Sequence, residues 1–287
     1  MVKSKLVGLF RLFRIELPFA AGVCVIVGEL LALGRFPGVK ESLLGFSSVF
    51  FLSAAALILN DYFDVETDRI NAPHRPIPSG QVSRSDALAL FVFVTVTGLG
   101  LSAFLGVTAI LVAFLVWSVG VLYNWKFKKS GLPGNLMVSF SVGMTFIFGG
   151  VVVRQFSAFI FWYFTVITTL IDLGEEIVGD AMDSKGDQQA GSRSLALIFG
   201  SKTAIRIGSG IFLFIVVFTL IPFVFQWISL LYLPPIVLLD GILLFSTIRL
   251  LQDKTKERRL YIRLIYMGGL VSLVLLVLIR IFLSFPS

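Results

Sequence analysis

The stretch 60-NDYFDVETDRINAPHRPIPSG-80 follows an apolar run and gathers carboxylates where the chain is otherwise hydrophobic. It places Asp61, Asp64 and Asp68 within one short segment. Positions i, i+3 and i+7 of a helix lie within about 60° of each other around the axis, so the three side chains are expected to share one face. Crowded carboxylates repel each other unless a cation lies among them. The stretch therefore predicts a cation-binding site.

The composition of the whole chain is typical of a polytopic helical membrane protein. Its 287 residues are 57% hydrophobic and 14% charged, with a mean hydropathy of +0.95, whereas soluble domains are about 25% charged. Nine apolar segments are long enough to cross a bilayer, which takes about 20 residues each. They fall at 15–34, 43–60, 86–105, 107–125, 134–153, 157–178, 205–225, 227–248 and 264–284. We expect one all-α transmembrane domain over 1–287, with about nine helices.

The distribution of positive charge predicts the orientation of these helices. If the N-terminus is cytoplasmic, only Arg35, Lys40, Arg154 and Arg280 of the 24 Lys and Arg residues fall on the opposite side. Cytoplasmic loops of membrane proteins carry such an excess of Lys and Arg. We therefore expect a multi-pass protein of the cell membrane with a cytoplasmic N-terminus.

A second acidic motif follows the sixth predicted helix, in 175-EEIVGDAMDSKGDQQAGSRSLALIFG-200. Asp180, Asp183 and Asp187 repeat the spacing of the first motif and follow it at a constant offset. Both motifs end an even-numbered helix on the predicted cytoplasmic side. This predicts an internal repeat of a four-helix unit, roughly 10–126 and 130–248, with a ninth helix at 260–284. Two such motifs meeting at a cytoplasmic cavity would bring six carboxylates together.

The residue types favour magnesium over zinc at this site. The concentrated ligands are hard oxygens, and the chain has one His and one Cys, whereas zinc prefers nitrogen and sulfur ligands. Magnesium binds through a few carboxylates and retains positions for water and substrate phosphate oxygens. The paired motifs therefore predict Mg²⁺ bridging to a diphosphate, with the basic residues on the same side as candidates to hold phosphate oxygens or lipid headgroups.

At these residues the chain resembles the UbiA superfamily of intramembrane prenyltransferases. The first motif of that family, N-D-x-x-D-x-x-x-D, is complete from Asn60 to Asp68, and its second, D-x-x-x-D, matches Asp183 and Asp187. A segment with Tyr123 and Lys128 after the fourth helix is also similar. The resemblance extends over nearly the whole chain and implies Mg²⁺-dependent transfer of a prenyl group from its diphosphate through an allylic carbocation.

The resemblance also implies roles for individual residues. The metal ligands would be the six motif carboxylates, of which Asp61, Asp64, Asp183 and Asp187 are the main catalytic candidates. The diphosphate would be held by a set of polar and basic side chains, namely Asn60, Arg14, Lys128, Arg193, Tyr123 and Arg75.

Around both motifs the sequence is most similar to an archaeal ether-lipid group of the superfamily. This implies a geranylgeranyl diphosphate donor and the free hydroxyl of geranylgeranylglyceryl phosphate as acceptor. The second motif of that group reads close to R-E-I-x-K-D, and this chain has Glu175 and Gly179 where that pattern has its two cations.

Two other functions remain compatible with the residues alone. Prenyl transfer to an aromatic acceptor, such as 4-hydroxybenzoate or a naphthoate in quinone biosynthesis, needs the same acidic motifs. A secondary transporter would also combine internal repeats with intramembrane acids, although its ionisable groups usually lie near the bilayer midplane. We expect a prenyl diphosphate, a lipid-like or aromatic acceptor and membrane lipid as partners, and no nucleic acid. We also expect the proline-containing loop at 71–80 to act as a lid over the diphosphate.

Overall fold

Helices make up almost all of the computed structural model, which describes residues 2–189, 191–252 and 258–283. Within these ranges the structure contains helices, turns and no strand. The helices are α1 Val2–Leu12, α2 Glu16–Leu33, α3 Val39–Phe63, α4 Val65–Asn71, α5 Arg84–Ala103, α6 Val107–Leu122, α7 Leu132–Val153, α8 Phe159–Gln189, α9 Leu195–Phe199, α10 Ser201–Val224, α11 Leu233–Leu251 and α12 Arg258–Phe282.

Each of the nine predicted apolar segments corresponds to one of the long helices, which confirms the all-α membrane fold. Eight spans in the described part of the chain are long and apolar enough to cross a bilayer. The sixth predicted segment, 157–178, corresponds to α8, whose 31 residues include the acids Asp172, Glu175 and Glu176 and which is therefore less apolar. The helix continues through the second acidic motif instead of ending near 178.

The chain divides into two compact units. Unit 1 comprises Met1–Glu29, Pro37–Phe127 and Met144–Phe156, and unit 2 comprises Leu30–Phe36, Lys128–Gly143 and Ser157–Ser287. The first acidic motif belongs to unit 1 and the second to unit 2. The predicted sequence repeat stays a prediction.

In unit 1 small residues allow helices to approach closely. A Cβ at Gly28 would collide with the carbonyl oxygen of Phe146, and one at Gly149 with that of Val25, so α2 and α7 touch through their backbones. Helix α3 packs along α5, where Ser48 Oγ donates to the carbonyl oxygen of Gly98 at 2.9 Å. Such small-residue contacts are usual in membrane helix packing, where dispersion replaces the hydrophobic effect.

In unit 2 a buried polar network ties three helices together. Tyr163 of α8 donates through its hydroxyl to the carbonyl oxygen of Thr219 of α10 at 2.7 Å. The hydroxyl of Thr219 in turn donates to the carboxylate of Asp240 in α11 at 2.9 Å. Polar groups buried in a membrane helix bundle need such internal partners because lipid offers none.

Candidate active site

The first acidic motif spans a short break between two helices of unit 1. Helix α3 ends at Phe63, α4 begins at Val65, and Asp64 lies between them with φ −84° and ψ 3°. The i→i−4 backbone bonds nevertheless continue across the break, from Asp64 N to Asn60 O at 3.0 Å and from Asp68 N to Asp64 O at 2.8 Å. The helical register is thereby kept through the motif.

Two arginines contact the carboxylates of this motif. Asp61 is 2% exposed and Asp68 is 5% exposed, and a buried carboxylate is costly unless it is paired. Arg14 donates to Asp61. Arg75 Nη1 lies 2.6 Å from Asp68 Oδ2 and 3.6 Å from Asp61 Oδ1. Because one guanidinium contacts both Asp61 and Asp68, these two side chains lie on the same side of the motif, as their spacing predicts.

The backbone of Arg14 is held in an uncommon conformation next to this site. Its φ is +44°, in the left-handed region that residues other than glycine rarely adopt. Arg14 lies at the corner between α1 and α2, where this conformation turns the chain. Strained backbone of this kind persists where the surrounding structure enforces it and is concentrated at functional sites.

Arg75 is held by a turn region that we call the proline turn, residues 72–83. Ile77 and Val82 anchor it in a hydrophobic cluster with Leu12 and Ile58. Within the turn, Val82 N donates to Pro76 O at 3.0 Å. The segment expected to be a lid is thus a packed turn next to the motif, and its role as a lid stays a prediction.

The neighbouring acids stabilise the charged form of the Arg75 guanidinium group. Partial burial alone would lower the pKa of its guanidinium, but the hydrogen bond to Asp68 and the charges of Asp68, Asp61 and Asp64 together raise that pKa above its ordinary value. Arg75 is therefore cationic at any physiological pH. Counted formally as three carboxylates and two guanidinium groups, this group has a charge of about −1.

The motif also receives a contact from a residue that sequence reasoning did not select. After α6 the chain forms a π-helical turn, Tyr123–Phe127, a distortion often found at functional sites. Asn124 in this turn is 7% exposed, and its Oδ1 accepts from Asn60 Nδ2 at 3.1 Å. An amide at the end of an apolar helix, beside Tyr123, was the signal that could have singled it out.

Unit 2 holds the second acidic motif at the end of α8. Asp180 Oδ2 accepts from Asn135 Nδ2 of α7 at 2.9 Å. The side chains of Asp183 and Asp187 lie outside the described residues, so their expected metal contacts stay predictions. The first acid of each motif is thus contacted from a residue near the start of an earlier helix, Asp61 by Arg14 and Asp180 by Asn135.

A backbone contact in unit 2 joins two of the predicted basic segments. Arg193 N donates to Lys129 O at 2.9 Å. Gly131 has a φ of +71°, and a Cβ there would collide with the carbonyl group of Arg193. Lys128, whose side chain is half-buried, directly precedes this contact, and the Arg193 side chain is exposed. The diphosphate candidates Lys128 and Arg193 are therefore on adjoining segments.

Helix α8 carries two further carboxyl groups, those of Asp172 and Glu175, before the second motif begins. Asp172 and Glu175 each have one buried carboxylate oxygen without a hydrogen-bond partner among the described residues. Such groups are expensive to bury. The sequence motifs did not select them as part of the site.

The donor atoms of the first motif fit magnesium. They are carboxylate oxygens with an adjacent amide, which are the ligands of hard divalent cations. The described residues form no group of three or more acid, His or Cys side chains that could enclose a metal. Magnesium usually binds through one or two carboxylates and completes its shell with water and substrate phosphate. An acidic motif with two arginines beside it therefore suits a Mg²⁺–diphosphate.

Comparison with known proteins places the chain in a family. The model of the UbiA prenyltransferase family matches residues 21–282. The chain belongs to this family. The resemblance seen in the acidic motifs is thus confirmed, together with the enzyme class that it implies, alkyl transfer from a prenyl diphosphate.

Curated relatives cover most of the chain. The digeranylgeranylglyceryl phosphate synthase of Pyrococcus abyssi is 34% identical over 233 residues, which are 81% of this chain and 83% of the relative. The enzyme of the same name from Pyrococcus furiosus is 33% identical over 246 residues, 86% of this chain and 87% of the relative.

Solved structures support the same fold. A structure described as digeranylgeranylglyceryl phosphate synthase in membranes has a TM-score of 0.82 and 28% identity, and the match covers 96% of this chain and 99% of that one. A UbiA homolog from Archaeoglobus fulgidus bound to GPP and Mg²⁺ has a TM-score of 0.72 over 96% of this chain and 99% of that one. Its identity is 16%, so it is evidence for the fold alone.

Proposed function

We propose that this enzyme transfers a geranylgeranyl group from its diphosphate to the free hydroxyl of geranylgeranylglyceryl phosphate, in a Mg²⁺-dependent step of ether-lipid synthesis. The chemistry of donor activation is supported by one observation above all: the buried carboxylate of Asp61 is held by Arg14 and approached by Arg75. Such a group offers both oxygen ligands for a cation and donors for an anion. The acceptor is supported by the name shared by relatives that are 33% and 34% identical.

The residues of unit 1 would prepare the donor for departure of its diphosphate. The C1–O bond of the allylic donor breaks with its electron pair leaving on the diphosphate, and the acceptor oxygen bonds to C1 as the hydroxyl proton is released. Asp61, Asp64 and Asp68 would hold Mg²⁺, which would supply charge neutralisation on the diphosphate oxygens. Arg14 and Arg75 would turn from the carboxylates toward the same oxygens.

The family resemblance also assigns two basic residues of unit 2 to the diphosphate. The contact between Arg193 N and Lys129 O fixes the segment that carries Lys128 beside the segment that carries Arg193. Guanidinium groups bind phosphate oxygens in a forked geometry, and an ammonium group acts as a mobile point charge. We assign Lys128 and Arg193 to diphosphate binding on this basis and on the family resemblance, and Tyr123, which belongs to unit 1, on the resemblance alone.

The site would open toward the cytoplasm. The acidic motifs and all but four Lys and Arg residues fall on the same side of the predicted spans, and this excess marks the cytoplasmic face. A water-soluble diphosphate leaving group would be released there, while the prenyl chains stay in the bilayer.

The test of this function is an acceptor panel with the purified protein in lipid vesicles. Radiolabelled geranylgeranyl diphosphate is supplied with geranylgeranylglyceryl phosphate, 4-hydroxybenzoate or a naphthoate, each with Mg²⁺ or with EDTA. We expect a Mg²⁺-dependent product with the glyceryl phosphate only. Product with an aromatic acceptor would reassign the enzyme to quinone synthesis, and Mg²⁺-independent uptake of the label into vesicles would support a transporter.

A further inference from the structure

Asn124 has an amide orientation that the surrounding backbone imposes. Its Nδ2 group donates to the carbonyl oxygen of Ala56 in α3 at 3.2 Å and to that of Gly120 in α6 at 3.0 Å. Carbonyl oxygens only accept hydrogen bonds, so the end of the amide that faces them must be the NH₂ group. The oxygen of Asn124 is therefore directed to its other neighbour, Asn60.

This orientation determines the orientation of Asn60 in turn. Asn60 meets the oxygen of Asn124 at 3.1 Å, so it must offer its own NH₂ group there. The two ends of a carboxamide have nearly the same shape, and the contact with the oxygen of Asn124 distinguishes the NH₂ end of Asn60 from its oxygen end. Only the oxygen end can bind a hard cation, because amide nitrogen has no available lone pair.

Asn124 lies in the π-helical turn Tyr123–Phe127 that follows α6. From there its NH₂ group contacts both α3 and α6. With 7% of its surface exposed, it is shielded from competition by water. The distortion and the burial together fix the side chain.

We infer that Asn124 is a positioning residue of the prenyltransferase: it holds Asn60 so that the oxygen of Asn60, and not its NH₂ group, is presented to the Mg²⁺–diphosphate. The inference rests on the proposed function for the identity of the ligand. Asn124 would act without touching the substrate itself. It would determine which atom of Asn60 faces the substrate.

The test uses metal binding as well as transfer, because a folding defect would also lower activity. Mn²⁺ serves as the spectroscopic probe, and its dissociation constant is measured by electron paramagnetic resonance with inorganic diphosphate present. Asn124→Ala is expected to weaken Mn²⁺ binding and to raise the Mg²⁺ concentration for half-maximal transfer, each about tenfold. Ser48→Ala, which removes one buried hydrogen bond between α3 and α5, is the control and should change both by less than twofold.

The same substitution in an Asn60→Asp protein distinguishes a positioning role of Asn124 from a merely structural one. Asn60→Asp offers an oxygen at both ends of its side chain, so the orientation set by Asn124 no longer matters. Adding Asn124→Ala to Asn60→Asp should therefore weaken Mn²⁺ binding by less than twofold. A tenfold loss in both backgrounds, or equal losses in Asn124→Ala and Ser48→Ala, would overturn the inference. So would wild-type protein that binds no Mn²⁺ with diphosphate, whereas Mn²⁺ binding without transfer to any acceptor would count against the proposed function alone.

Discussion

Replacing Arg75 with Gln should change the affinities for cation and anion in opposite directions. Arg75 lies 2.6 Å from Asp68 and 3.6 Å from Asp61, within a group of three carboxylates and two guanidinium groups. Arg75→Gln shifts the net charge of that group from about −1 to about −2. The group then attracts a divalent cation more strongly and repels a diphosphate more strongly. A substitution that merely damaged the site would weaken both.

The size of each effect follows from the contacts. One charge at about 6 Å from a divalent cation in a water-like dielectric is worth about 1.4 kcal/mol, so Mn²⁺ alone should bind about fivefold to tenfold more tightly after screening by salt. A charge-assisted hydrogen bond contributes about 1.5–3 kcal/mol. Since 31% of the Arg75 side chain is exposed, we take the lower value, which predicts about a tenfold rise in the KM for geranylgeranyl diphosphate.

The control is Arg69→Gln, which removes an ion pair of nearly the same length. Arg69 lies 2.7 Å from Glu66, but the two side chains are 61% and 68% exposed. Exposed pairs contribute little, so both readouts should stay within twofold of wild type. The charge reasoning is refuted if Arg75→Gln weakens Mn²⁺ binding, or if it leaves the KM for the donor unchanged.

Three further substitutions test other parts of the site. Gly131→Ala should reduce transfer about tenfold or more because its Cβ would displace the Arg193 carbonyl, whereas Gly191→Ala, with the same φ of +71° and no neighbour within 4 Å, should cost stability only. Gly179→Lys should be tolerated, because a Cβ added at this position has no neighbour within 4 Å. The added cation should lower the KM for the anionic glyceryl phosphate acceptor. An unchanged KM would place Gly179 away from the acceptor. Ile77→Ala, which loosens the proline turn by removing its buried anchor, should raise the ratio of donor hydrolysis to transfer, and an unchanged ratio would argue against a lid.

Much of the fold was predictable because apolar length and charge asymmetry are strong signals in membrane proteins. All nine apolar segments correspond to long helices, and the spacing of Asp61 and Asp68 correctly placed them on one side. The apolar window ends at 178, before the second acidic motif, whereas α8 continues to Gln189 through acidic residues whose spacing suits a helix.

Contacts that depend on tertiary structure were beyond the sequence. The side chain of Asn124 is oriented by hydrogen bonds to two backbone carbonyl groups, and the residue lies in a π-helical turn. Residue preferences predict neither feature. The pairing of Asn135 with Asp180 likewise joins residues on separate helices. The sequence named Arg14 and Arg75 as basic candidates, but only the fold shows that they neutralise Asp61 and Asp68.

The most direct measurement is equilibrium binding of labelled geranylgeranyl diphosphate to Asp64→Ala, with Glu66→Ala as its matched control. Asp64 belongs to the acidic motif, whereas Glu66, two residues on, is exposed and pairs with Arg69 at the surface. We predict Mg²⁺-dependent binding in wild type and in Glu66→Ala, and its loss in Asp64→Ala. Equal binding by all three proteins, or wild-type binding that is the same in EDTA, would contradict a magnesium-assembled diphosphate site.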